Sequence, residues 1–151
     1  PEVKKVASMH ILMTKSGPLF LADTTINHHL EAVDIANIAE LVADQARVFN
    51  IEPRIAMVTY SNFGSVINGE SAVLMRKATD ILHKKHPDLI VDGEMQAHLA
   101  LDEKALKQLY PFSKFSGCIN ELAEDGGKGF RDIVRQCTPV RRISILSIRH
   151  K

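Results

Sequence analysis

Apolar and polar positions follow one another along this chain in segments whose period changes several times. Val3 to Thr14 is rich in Val, Ile, Leu and Met, and Leu19-Phe20-Leu21-Ala22 is a second apolar run. The turn cluster Lys15-Ser16-Gly17-Pro18 joins them, which predicts a β-hairpin. A polar loop, Asp23 to Asn27, comes next. From Leu30 to Phe49 the period is helical: Ile35, Ile38, Val42 and Phe49 recur at spacings of three, four and seven. Asp34, Asn37, Glu40, Asp44 and Arg47 mark the opposite side, Asn27 is a candidate cap and Asn50 a candidate stop.

Ile55 to Thr59 has the length and composition of a buried strand, and a small polar loop, Tyr60 to Ser65, follows it. Residues 70–86 predict a second helix with Leu74, Ala78, Ile81 and Leu82 inward and Arg76, Lys77, Asp80 and Lys84 outward. His86-Pro87 ends it, because proline disfavours the α conformation of the residue before it. Leu89-Ile90-Val91 is the next strand, ending in Asp92-Gly93-Glu94. Strand, helix and strand make a βαβ unit with an expected right-handed crossover. Asp102 to Tyr110 predicts a short helix capped by Asp102 and stopped at Pro111. Beyond Cys118 the rhythm fades: Glu124 to Gly129 is loop chemistry, and Arg141 to Ile148 is one candidate basic strand.

Composition narrows the class. The 151 residues, 45% hydrophobic and 25% charged, suit one globular domain or part of one, and exclude disordered, collagen-like and disulfide-scaffold chains. No apolar run reaches the ~20 residues of a membrane span, and no signal-peptide pattern opens the chain. Cys118 and Cys137 therefore read as reduced thiols of a cytoplasmic protein with no membrane partner. The chain opens at Pro1 in mid-pattern, which predicts an excerpt of a longer protein. Residues 1–125 hold 12 Lys/Arg against 17 Asp/Glu, whereas residues 126–151 hold 7 against 1. Such a tail is either a nucleic-acid arm or a solvated, divergent terminus; the second reading is favoured, since charge runs of this kind are ordinary.

Chemistry is expected where loops follow the carboxyl ends of parallel strands. Ser61, Asn62, Gly64 and Ser65 occupy one such position, with hydroxyls, an amide and a glycine that suit an anionic ligand, although a plain connection has the same composition. Asp92, Gly93 and Glu94 occupy the second; two carboxylates flanking a glycine can orient a substrate, bind a cation or cap a helix, and capping is the commoner role. His28-His29 and the pair His83 and His86 lack the partners of a metal site, so solvated helix ends are favoured there. Walker, GxSxG, CxxC and HExxH patterns are missing, so no catalytic residue and no metal ligand is assigned.

Four strings in order carry a family resemblance: FLADTTIN (20–27), PRIAMVTYSNFGS (53–65), HPDLIVDGEMQAHLAL (86–101) and LYPFSKFSG (109–117). With these the chain resembles the phosphotransacetylase (phosphate acetyl/butyryl transferase) family, and most the phosphotransacetylase-like domain fused behind NADP-dependent malic enzymes. The resemblance implies a three-layer α/β/α fold with a mostly parallel sheet, of the phosphotransacetylase and isocitrate dehydrogenase-like type. Residues 1–118 would be part of its second subdomain and residues 119–151 a divergent basic tail. It implies coenzyme A or acetyl-CoA in the cleft between the subdomains, which makes Ser61, Asn62, Gly64, Ser65, Asp92, Gly93 and Glu94 the candidates for binding CoA or phosphate. It also implies an acetyl-CoA-sensing, self-associating role in a malic-enzyme parent whose NADP and divalent cation bind outside this segment. The alternative it carries is an active transferase exchanging acetyl between CoA and phosphate. The family's late catalytic segment is not matched, and Tyr60 to Ser65 lacks the Lys or Arg usual in stand-alone transferases. The lost basic residue agrees with the sensing role, and the missing catalytic segment together with the absent other wall of the cleft predicts that the segment alone transfers no acetyl group.

Overall fold

The computed structural model describes residues 8–14, 17–22, 30–115 and 144–147. Strands β1 (Met9–Thr14) and β2 (Gly17–Ala22) form the antiparallel hairpin that the two apolar runs predict. Helix α1 (Ala32–Val48) follows, then β3 (Arg54–Val58), α2 (Glu70–Lys85), β4 (Ile90–Met95), α3 (Ala97–Leu101), α4 (Glu103–Leu109) and β5 (Ser144–Ser147). The sheet runs in the order β1-β2-β5-β3-β4, parallel everywhere except in the hairpin.

Two apolar layers sandwich this sheet and make the fold α/β/α. Ile55, Met57 and Val91 lie on the face covered by α1 and α2, among Ile35, Ala39, Val42, Met75, Ala78 and Leu82. Ala56 and Val58 face the other way, into Leu99, Ala100, Leu106 and Phe115 around α3 and α4. Period-two alternation along β3 therefore supplies both layers, as a strand buried on both faces must. Among the described residues no helix is long and apolar enough to cross a membrane.

The helix ends have local causes. Asp34 Oδ2 accepts from the backbone N–H of Glu31 at 3.0 Å, one half of a capping box, so the cap is Glu31. The expected cap Asn27 lies outside the described residues. At the other end Asn50 adopts φ 55°, and the amides of Asn50 and Ile51 donate to the carbonyls of Arg47 and Ala46 at 2.9 Å. That is the left-handed stop that Asn is well suited to make. Asp102 caps α4 as expected, accepting from the Ala105 N–H at 2.9 Å.

Within the candidate strand Arg141 to Ile148, residues 144–147 form β5 and fill the slot between β2 and β3. Both neighbours would otherwise present unpaired backbone groups in the middle of the sheet, so a central strand is required there. The strand after Leu89 was to end at Asp92-Gly93-Glu94, yet β4 continues through these residues to Met95. Burial of the two carboxylates is tolerated because both are hydrogen-bonded, as the site geometry makes plain.

Candidate functional site

The carboxyl ends of β3 and β4 lie side by side, and the loop 59–69 leaves from the first of them. Pairing runs Met57 with Gly93 and then Val58 with Met95, so Glu94 is the extra residue of a bulge. Regular alternation from Val91 would send Met95 toward α1 and α2; the bulge sends it to the opposite layer, beside Val58. Gly93 has φ +135°, and a Cβ there would stand 2.6 Å from the Met57 carbonyl oxygen. Only glycine permits this approach of β4 to β3. The Gly93-Glu94 peptide bond is cis.

Glu94 is fully buried, and three donors meet on its Oε1: the Ser61 hydroxyl at 2.8 Å, the Gly64 N–H at 2.9 Å and the Arg76 guanidinium at 2.8 Å. Its Oε2 is buried with no hydrogen-bond partner among the described residues. Arg76 also donates to the carbonyls of Val66, at 3.2 Å, and Ile67, at 2.7 Å. The guanidinium thus ties α2, the bulge and the far side of the loop together. Sequence periodicity places Arg76 on the outward face of α2, and the structure corrects this. The side chain lies over the loop because a buried carboxylate demands a cation. No local signal in the sequence marks Arg76; only the contact across eighteen residues does.

The loop closes on itself as well. The Ser61 hydroxyl accepts from the Val66 N–H at 3.1 Å and lies 3.2 Å from the Ser65 hydroxyl, which accepts from the Asn62 N–H at 2.9 Å. The Phe63 N–H donates to the Glu94 carbonyl at 2.7 Å, and the Ser65 N–H to the Asn62 carbonyl at 2.9 Å. Every backbone N–H from Asn62 to Val66 is therefore engaged within the protein. Asn62 Oδ1 accepts from the Gln96 N–H at 2.7 Å, and Gln96 Nε2 donates to the Tyr60 carbonyl at 2.6 Å.

Asp92 serves a different loop. Its Oδ2 accepts from the Ser113 hydroxyl and the Lys114 N–H, both at 2.7 Å, and its Oδ1 from the Gly93 N–H at 2.9 Å. It caps no helix; it pins residues 111–115 beside the site. The seven residues expected at the site are thus brought to one edge of the sheet. Ser61, Gly64 and Glu94 converge on one another, Ser65 and Asn62 brace the loop, Gly93 lets the strands approach, and Asp92 faces the neighbouring turn. His83 Nε2 lies 2.8 Å from the Val91 carbonyl and so is engaged at its strand, not left to solvent. Among the described residues no group of three or more His, Cys, Asp or Glu side chains could hold a metal ion.

A family model described as phosphate acetyl/butaryl transferase matches residues 1–122. An NADP-dependent malic enzyme of Haemophilus influenzae is 37% identical over 120 residues, covering 80% of this chain and 16% of the relative. A phosphate acetyltransferase of Clostridium acetobutylicum is 31% identical over 146 residues, covering 89% of this chain and 44% of that one. Among solved structures, a phosphotransacetylase from Streptococcus pyogenes superposes with a TM-score of 0.67 at 26% identity, over 93% of this chain and 37% of its own. The chain thus spans a minor part of the length of each of these relatives.

Proposed function

The chain belongs to the phosphate acetyl/butaryl transferase family, and from that premise we propose that it forms part of a domain that binds acetyl-CoA in a longer, cytoplasmic NADP-dependent malic enzyme. There it senses acetyl-CoA and contributes to self-association, while NADP and the divalent cation of malate oxidation belong to other parts of the parent chain. The observation that carries the regulatory reading is the state of the loop. It holds no cation of its own, and the nearest, Arg76, is engaged by Glu94 and by two loop carbonyls. A transferase must hold free phosphate beside the thioester and stabilise charge as the acetyl group moves. A loop whose donors are turned inward onto a carboxylate is better suited to hold a shape. Coenzyme A would meet this edge at Asn62, whose Nδ2 has no hydrogen bond among the described residues.

Asn62→Asp in the full-length protein tests the reading, because it keeps the Oδ1 acceptor for Gln96 and replaces the free amide by a negative charge. Acetyl-CoA binding weakened about tenfold, the size of one lost hydrogen bond plus repulsion, is the expected result. Unchanged affinity would remove the loop from the site. Acetyl phosphate formed from acetyl-CoA and phosphate by the wild-type protein would favour the active transferase instead.

A further inference from the structure

A groove of about 500 Å³ opens to solvent between the first turns of α1 and α2. Leu30, Ala32, Val73 and Leu74 supply its apolar lining, and all but Val73 pack on the buried layer beneath the two helices. Glu31, Glu70 and Lys77 supply its charge. Counting Asp34 in the first turn of α1, three carboxylates stand at the two helix starts against one ammonium. Each helix start adds roughly half a positive charge, so the rim remains negative.

The short strand β5 ends directly below. Leu146 pairs with Ala22 and Met57, and Ser147 with Val58, so β5 ends level with β2 and β3. These are the strands that lead into α1 and α2, and in a parallel sheet the helices that follow begin at the strands' carboxyl ends. The chain therefore leaves β5 at the edge where the groove opens, between the two strands whose helices form it. Ala22 and Met57, the partners of position 146, belong to the layer that α1 and α2 cover. The period of two along a strand places position 148 on that same face.

Ile148, Arg149, His150 and Lys151 follow β5 in the sequence. An isoleucine at the position toward an apolar groove, followed by two cations toward a negative rim, is complementary to it in both respects. Four residues extend up to about 13 Å, more than the ~10 Å between packed layers. We propose that the groove between the starts of α1 and α2 is the seat of the chain's own residues 148–151, with Ile148 against Val73 and Leu74 and the cations at Glu31 and Glu70. Seated there, the segment fastens the four-residue strand β5 to both helices and closes the groove to other ligands.

Carbodiimide coupling joins an amine to a carboxylate only where the two touch, and in the full-length protein its products can be read by mass spectrometry. Lys151 is expected to couple to Glu31 or Glu70, and in a mixture of isotope-labelled and unlabelled protein the products should lie within one chain. Ile148→Asp should lower their yield about tenfold, the scale of one apolar side chain returned to water. Ile148→Ala, a gentler change beyond the last strand pair, should lower it in the same direction, and Val73→Asp should do so from the groove side. Absence of Lys151 coupling in the wild type overturns the proposal. Products that join labelled to unlabelled chains overturn it in favour of a second copy in the groove. A yield undiminished in both Ile148 variants overturns the apolar seat, and the proposal with it.

Discussion

The carboxylate of Glu94, buried at the end of one strand, takes the guanidinium of Arg76 from the second turn of the neighbouring helix at 2.8 Å. One side of that pair has no exposed surface and the other is 30% exposed, so the interaction is neither a surface ion pair nor a fully enclosed one. It joins α2 to β4 and, through the Val66 and Ile67 carbonyls, to the loop between them.

Arg76→Ala should lower stability by about 2–3 kcal/mol, because it leaves a buried carboxylate without its cation. Glu94→Gln should cost less, since an amide oxygen still accepts from Ser61 and Gly64. The double variant should lose less than the two single losses added together. Urea titrations of the three proteins measure this directly, and strict additivity would show that the two side chains are not coupled.

Gly93 and Gly64 both have positive φ, +135° and +87°, but only Gly93 has backbone within 3 Å of an added Cβ. Gly64→Ala should therefore cost about 1 kcal/mol of backbone strain. Gly93→Ala should cost several times that or prevent folding, because the Met57 carbonyl cannot move without breaking the β3–β4 pairing. Thermal unfolding of the two variants side by side checks the order; equal losses would contradict it.

Asp92→Ala removes the acceptor that holds the Ser113 hydroxyl and the Lys114 N–H. The expected loss is about 1–3 kcal/mol, the cost of leaving buried donors unmade. Hydrogen exchange should accelerate first at residues 111–115 and leave Ile55 to Val58 protected. Uniform acceleration would mean that Asp92 supports the whole sheet.

Ser144–Ser147 pairs with both β2 and β3. Amides at 145–147 should accordingly exchange as slowly as those of Ile55 to Val58. Ending the chain before Ser144 should open two strand edges and lead to loss of folding or to association. Rapid exchange at 145–147 in the intact chain would remove β5 from the sheet.

Much of the fold was legible in the chain because it depends on local periodicity. The hairpin, α1, β3, α2 and α4 follow from runs and spacings within some twenty residues, and Asn50 and Asp102 act at their helix ends through neighbours three or four positions away. The loop at Ser61 and the acids at 92 and 94 were also legible as candidates, since polar residues after buried strands are conspicuous. The four collinear strings pointed to the family that the comparisons bear out.

Tertiary structure alone decided which way those polar groups act. A hydroxyl at position 61 is the same in sequence whether it faces a ligand or a carboxylate thirty-three residues away, and the bulge at Glu94 chose the carboxylate. Arg76 sits on the polar side of its helix by periodicity, but a long side chain reaches across a turn to a buried charge that no local pattern records. The strand at 144–147 was legible as a candidate, but its central place was not: a central slot needs backbone partners, and backbone pairing leaves little trace in side-chain identity. Local spacing thus determined the elements, while the long-range pairing of backbone and charge determined the site.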